Sequence, residues 1–315
     1  MDADMSTPDL ETRRAQVLTG ANFTTYRIGG PLDEAYQPAN EAEMVEILQR
    51  VRREGKPLTV LGWGGNTIIA SRGIRGVTII TRKLDWVREL SPTRLEFGAG
   101  VHLAKSASEA LKRGLSGGEY MIGIPGTIGG AVRMNAGALG QETSDVTRSV
   151  TLFNLETGEV ETWGPEQLQF SYRKSALDPS QHIVLSAILE FKPGDPAEIS
   201  KLMEGSVGFR KAHHPKEPNG GSVFKNPSKE MPAGRLLEEL GAKGQWREGG
   251  AMVSPLHANF IINVDNASST DVLRLMLRMK RAIRERYGLD AHPENLFLGD
   301  ATDEERALWQ ELTES

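Results

Sequence analysis

Glycine, serine, arginine and glutamate are the residues of this chain whose spacing could do chemistry. Gly123–Gly140 (GIPGTIGGAVRMNAGALG) packs glycines, one proline and small side chains into a stretch with no helical or strand periodicity. Glycine lets a backbone approach a ligand closely and adopt positive φ. Consecutive N–H groups in such a loop form an anion-binding concavity. A second loop of this kind, Gly62–Thr67 (GWGGNT), lies upstream. Each alone reads equally well as a tight turn. Two in one chain favour a cradle for a large phosphorylated cofactor, because glycine at this density costs conformational entropy without adding core. Neither is a common phosphate signature: GWGGNT lacks the Walker lysine and does not match GxGxxG.

A third cluster is Gly220–Pro227 (GGSVFKNP). Its Ser222 either caps a turn or is presented to a ligand with little steric hindrance. No Ser–His–acid spacing is evident, although His213, His214 and His257 are present. Arg173 follows the aromatic pair Phe170 and Tyr172, and its planar fork suits a carboxylate or phosphate. Most arginines are nevertheless solvated. Glu294, in AHPEN, reads by itself as a solvated charge. Adjacent His213 and His214 do not have metal-ligand spacing, and no metal is expected.

Composition narrows the classes. The chain of 315 residues carries a net charge of −5, which argues against a nucleic-acid partner. It has no cysteine, which excludes disulfides, thiolate metal sites and a cysteine nucleophile, and fits a reducing cytoplasm. No apolar run approaches the ~20 residues of a membrane span, and the polar N-terminus lacks the apolar core of a signal peptide. No long apolar interface helix is evident, so a monomer is expected.

The elements that must position these residues follow from periodicity. Asn40–Gly55 reads as an amphipathic helix with Asn40 as cap, Glu43 three residues on and Gly55 at its end. Pro57–Gly62 is a strand running into the first glycine loop, and Val77–Thr81 is another. Arg94–Gly100 is strand-like, and His102–Arg113 is a helix stopped by Gly114. Val150–Trp163 is a hairpin, and His182–Phe191 a further strand. Pro193–Pro196 marks a boundary. Beyond it, Ala197–Ala212, Ala233–Leu240 and Thr270–Tyr287 read as helices, the last capped by Thr270 with Leu273, Met276, Leu277 and Ile283 facing its core. Met252–Ser254 and Asn259–Val264 read as strands. The basic run Arg274, Arg278, Lys280, Arg281, Arg284 and Arg286 reads as a solvated face. The layout is α+β.

These clusters, in order, resemble the UDP-N-acetylenolpyruvoylglucosamine reductase family over about residues 20–300. The motifs are NFTTYRIGGP (Asn22–Pro31), LGWGGNT (Leu61–Thr67), GIPGTIGGAVRMNAGALGQE (Gly123–Glu142), FSYRKS (Phe170–Ser175), GSVFKNP (Gly221–Pro227), GGAMVSPLHANFIIN (Gly249–Asn263) and PENLFLG (Pro293–Gly299). Their spacing resembles the shorter class, which lacks a tyrosine-bearing loop over the substrate. Two departures stand out. Asn295 occupies a position where the family commonly has a branched apolar residue, which weakens a strand reading there. The stretch before GSVFKNP varies in the family, so His214 is given no role.

The resemblance implies an FAD-binding region of the vanillyl-alcohol-oxidase type, made of two α+β subdomains, and a C-terminal α+β substrate-binding domain. The expected division is a leader (1–20), two cofactor subdomains (21–82 and 83–194), a substrate domain (195–302) and a loose acidic tail (303–315). FAD would be held non-covalently by Gly62, Gly64, Gly65, Asn66, Thr67, Ile124, Pro125, Gly126, Thr127, Gly129 and Gly130. The implied reaction is NADPH-dependent reduction of the enolpyruvyl ether of UDP-N-acetylglucosamine to UDP-N-acetylmuramate, a peptidoglycan precursor. Arg173 would bind the carboxylate, Glu294 would flank it, and Ser222 would protonate C2. Tyr172, Lys225, Asn226 and His257 would line the substrate side. A flavin oxidase of the same fold acting on a sugar or hydroxy acid is the alternative.

Overall fold

The computed structural model describes residues 18–228 and 230–314. Most of the expected leader, including any short helix in it, lies outside the described residues. Leu18 and Thr19 belong to the fold: the carbonyl of Leu18 accepts from Leu32 N–H at 2.8 Å, and Thr19 bridges to Pro31.

The N-terminal region is a parallel three-stranded sheet, ordered Leu32–Tyr36, Ile74–Ile80, Leu58–Leu61. Helix α1 (Glu41–Glu54) is the parallel crossover between its outer strands. Asn40 Oδ1 accepts from Glu43 N–H, Gly55 ends the helix with φ +62°, and Met44, Ile47, Leu48 and Val51 are buried. Those four recur at helical spacing, which is why the stripe faces one core.

The second region is an antiparallel five-stranded sheet in the order Glu159–Trp163, Thr147–Asn154, His182–Glu190, Arg94–Gly98, Val87–Ser91. The last strand has no apolar alternation and is not legible in the sequence; three of its five residues are polar or charged. Helix α2 (Leu103–Lys112) is capped by His102, whose Nδ1 accepts from Ala104 N–H. The long glycine segment, read as irregular, contains helix α3 (Ile128–Met134), with Thr127 as its cap and Asn135 closing it at φ +42°. Its first two turns bury only Ile128, Ala131 and Val132, too short a stripe for a periodic signal. The single turn α4 (Pro165–Leu168) follows the hairpin.

Helix α5 (Pro196–His213) leads into the C-terminal region. There an antiparallel sheet runs in the order Asn219–Ser222, Phe260–Asn263, Ala251–Val253, Arg247–Glu248. Helix α6 (Ala233–Glu239) and the long helix α7 (Ser269–Tyr287) pack on it. The cap of α7 is Ser268, not Thr270: its side chain accepts from Asp271 N–H and Asp271 reciprocates. Leu273, Met276, Leu277 and Ile283 are buried as expected.

Two expectations are overturned. The acidic tail is not a loose end. Asp303–Thr313 forms helix α8, capped by Thr302, with Leu312 fully buried and Trp309 5.5 Å from Phe297, centroid to centroid. For the same reason the basic face of α7 is not simply solvated. Arg281 pairs with Glu311 at 2.7 Å, Arg274 with Glu304, and buried Lys280 donates to the carbonyls of Leu312 (2.9 Å) and Glu314 (2.6 Å). The acidic first turn of α8 masked the helix in the sequence, although Leu308, Trp309 and Leu312 pack on the core around α7.

The C-terminal region also returns to the N-terminal one. Leu296–Leu298 pairs in parallel with Thr67–Ile69, directly after the first glycine loop. Tyr26, Ile28 and Ile68 pack in the core built around α7.

Candidate active site

A cleft of about 1140 Å³ opens between the three regions. Its size exceeds the ~300–1,000 Å³ of a site for one small ligand. Both glycine loops line it, and they face one another. A Cβ on Gly62 would lie 2.5 Å from Thr127 Oγ1, and one on Gly65 would lie 2.8 Å from the Pro125 carbonyl. These two glycines therefore allow a close approach that any side chain would spread apart. Arg82 fixes the first loop: it donates to the carbonyls of Gly62 (3.2 Å) and Phe23 (2.9 Å) and lies 4.6 Å from the centre of the Trp63 ring.

Of the residues expected to hold FAD, Gly62, Gly64, Gly65, Asn66, Thr67, Ile124, Pro125, Gly126, Thr127 and Gly130 line the cleft. Gly129 does not. Its N–H donates to the Ala99 carbonyl at 2.9 Å and an added Cβ would crowd Ala99, so it serves packing. On the cleft side, a Cβ on Gly126 would meet nothing nearer than Leu103 at 3.9 Å. That open wall of small residues fits a large planar cofactor carrying phosphates.

Arg173 is projected into the cleft by a tight turn in which Ser171 and Lys174 exchange backbone hydrogen bonds. Its φ is +57°, a conformation rarely held by a residue with a side chain. Its Nη1 donates to the Gly137 carbonyl at 3.1 Å, and its Nε lies 3.3 Å from Glu294 Oε1. The Nε hydrogen has no aligned acceptor, so the contact is an ion pair and a buried donor is left over. Burial pushes the Glu294 carboxyl above its usual range; the Arg173 guanidinium and Lys225 ammonium oppose that rise. Ser222 sits on the same wall: Glu294 N–H donates to the carbonyl of Val223, the residue after the serine, at 2.8 Å. Among the described residues the Ser222 hydroxyl has no hydrogen-bond partner in the protein.

The four residues expected on the substrate side do not line the cleft. Tyr172 is exposed, and its ring lies 5.7 Å from the Arg173 guanidinium, centroid to Cζ. Asn226 Oδ1 accepts from Ala233 N–H at 3.2 Å and so supports the start of α6. Lys225 acts at a distance on Glu294. His257 packs against Phe260 and His214, with ring centroids at 4.8 and 5.9 Å. Conversely, the sequence reading missed Arg133, Arg210, Lys211, His214 and Lys216, which do line the cleft. Among the described residues Arg133 and Arg210 have no ion-pair partner, and burial depresses both guanidinium pKa values. For Arg210, Arg173 adds to the effect. A protein with net charge −5 thus concentrates unpaired cations in its cleft, the field expected around diphosphates. The available signal was the clustering of Arg210, Lys211 and Lys216 just before GSVFKNP.

Among the described residues no group of three or more His, Asp or Glu is placed to hold a metal, and no helix is long and apolar enough to cross a membrane.

Residues 33–164 match the family model of an FAD binding domain. With the facing glycine loops and the acid–guanidinium pair, this defines an FAD-dependent oxidoreductase of α+β class. Residues 213–298 match the model of the UDP-N-acetylenolpyruvoylglucosamine reductase C-terminal domain. UDP-N-acetylenolpyruvoylglucosamine reductase from Synechococcus sp. (strain WH7803) is 41% identical over 90% of this chain and 92% of its own length. The Bacillus subtilis (strain 168) reductase is 38% identical over 89% and 92%. The crystal structure of UDP-N-acetylenolpyruvylglucosamine reductase from Thermus caldophilus superposes with a TM-score of 0.75 at 33% identity, covering 90% of this chain and 98% of that one. The chain belongs to the UDP-N-acetylenolpyruvoylglucosamine reductase family.

Proposed function

We propose that the protein reduces the enolpyruvyl ether of UDP-N-acetylglucosamine to UDP-N-acetylmuramate, using NADPH and non-covalent FAD, in the making of a peptidoglycan precursor. The observation that carries this reading is the Arg173–Glu294 pair at 3.3 Å, in the cleft that Ser222 and both glycine loops also line. Bound FAD supplies a two-electron carrier between NADPH and the alkene. We assign residues 21–194 mainly to the cofactor and 195–302 mainly to the substrate.

The side chains account for the rest of the chemistry. Hydride adds to C3 of the enolpyruvyl group, and the π pair moves onto C2 and its carboxylate. That charge is stabilised by fixed donors aimed at it, the logic of an oxyanion hole. Arg173 offers its unused Nε–H and its full charge. Glu294, with its carboxyl pKa raised, can carry a proton and donate to the substrate carboxylate instead of repelling it. The Ser222 hydroxyl gives its proton to C2 as a C–H bond forms, and the alkoxide left behind recovers a proton from solvent. The double bond becomes single, one hydride and one proton having been added. Arg133, Arg210, Lys211 and Lys216, all lining the cleft, suit the diphosphates of cofactor and substrate.

The protein is taken to act as a monomer in the cytoplasm, in keeping with its cysteine-free composition. An absorbance spectrum tests the main reading. Purified protein should carry or take up FAD, bleach with NADPH, and regain colour when the enolpyruvyl UDP-sugar is added. A protein that does not take up FAD, or that stays bleached with this substrate, would refute it.

A further inference from the structure

We infer that Asn295 is a positioning residue that fixes the Ser222 proton donor relative to the cofactor loop; the inference rests on the function proposed above. Asn295 is 2% exposed. Its Nδ2 donates to Asn66 Oδ1 and to the Gly220 carbonyl, both at 2.8 Å, with the Ser222 carbonyl 3.3 Å away. Its Oδ1 accepts from the Tyr26 hydroxyl at 3.4 Å. An amide has two N–H groups, and here they face acceptor oxygens only, so the amide has one allowed orientation.

The partners of Asn295 are the parts that must be brought together. Asn66 belongs to the first glycine loop and reciprocates by donating its own Nδ2 to the Glu294 carbonyl at 2.8 Å. Leu296 N–H donates to the Asn66 carbonyl at 2.9 Å. Gly220 and Ser222 belong to the edge strand that carries the hydroxyl. That strand does not pair regularly with Phe260–Asn263: its register shifts between Asn219 and Ser222, and Gly221 stands at φ +76°. A bulge breaks the ladder that would otherwise fix a side chain. The carbonyls of the bulged segment are taken up by Asn295 instead. One buried amide thereby ties the cofactor loop, the proton-donor strand and the backbone of Glu294 into a single unit. A branched apolar residue there would fill the space and tie nothing.

The test uses Asn295→Val in the full chain, saturated with FAD, with the two half-reactions followed separately by stopped-flow absorbance in H₂O and D₂O. Bleaching by NADPH should stay within about twofold of the parent, because hydride delivery from NADPH needs no serine proton. Recolouring by the enolpyruvyl UDP-sugar should slow on the order of tenfold or more, as misplacement of a reacting group by a fraction of an ångström does. The solvent isotope effect on that phase should rise above the parent's, since proton transfer then limits it. Recolouring within twofold of the parent would overturn the inference. So would equal slowing of both half-reactions, or slowing with an unchanged isotope effect. A parent that itself fails to recolour refutes the proposed function instead. Should the valine variant not fold, Asn295→Ser, which keeps one donor, carries the same measurements.

Discussion

Arg173 spends backbone strain to hold a guanidinium over a buried carboxyl, a combination that recurs at functional sites. Two expectations belong to this scale. Ser222→Ala should lower product formation by roughly 10²- to 10⁴-fold, the usual range for a lost general acid. Flavin bleaching by NADPH should be unchanged, and stopped-flow traces showing both half-reactions impaired alike would remove the serine from the role. Glu294 sets a pH dependence. Its pKa is raised in the folded protein by burial, so folding favours the protonated carboxyl. That contribution is full below the ordinary carboxylate pKa and is lost as pH rises through the folded value. Glu294→Gln is neutral throughout. Its melting temperature relative to the parent should therefore climb as pH rises above the ordinary carboxylate pKa; a flat difference would show that the carboxyl titrates normally. That Ser222, Arg173 and Glu294 meet in one cleft was legible because motifs carry them. Asn295 registered only as a departure from a pattern, because its value lies in four contacts from distant parts of the chain. Asn226 and His257 stand outside the cleft lining, with a hydrogen bond to Ala233 and a ring contact to Phe260 that sequence spacing does not encode.

Among the elements, α8 is held by a buried cation as well as by packing. Lys280 supplies donors to carbonyls near the end of α8, which no further helical turn satisfies. Lys280→Met keeps the bulk of the stem and removes those bonds. It should cost about 1.5–3 kcal/mol, the range for hydrogen bonds to a charged group, read as a lower denaturation midpoint with activity retained. A midpoint unchanged from the parent would mean the α8 terminus frays in solution. Helices with a capping residue, an apolar stripe and a terminal glycine, such as α1, were readable to within a residue. Short elements were not. Helix α3 offers too few turns to show a period, and Val87–Ser91 is an edge strand whose outward residues are charged. Helix α8 was hidden because its apolar residues, Leu308, Trp309 and Leu312, fall only in its second half, and much of the α7 face it meets is charged.

The whole molecule is less linear than its motif order. Fold class and family follow from the ordered motifs, but the sequential division into cofactor and substrate regions leaves out two crossings. Tyr26 lies in the C-terminal core, where a Cβ on Gly220 would come 2.1 Å from its ring. Leu296–Leu298 lies beside Thr67–Ile69. Neither crossing leaves a local signature, since strand partners roughly 230 residues apart are chosen by the finished core and not by nearby turns. The second crossing bears on synthesis. A ribosome extending the chain at about 5–20 residues per second leaves the edge of Thr67–Ile69 without its partner for roughly ten to fifty seconds. A chain released at residue 290 should accordingly fail to retain flavin and be cut readily by protease, whereas one released just past α8 should do neither. The cofactor loop therefore comes to rest only once residues 296–298 have been made, so a product cut short before them should not sequester flavin while lacking the carboxyl and amide it needs to use it.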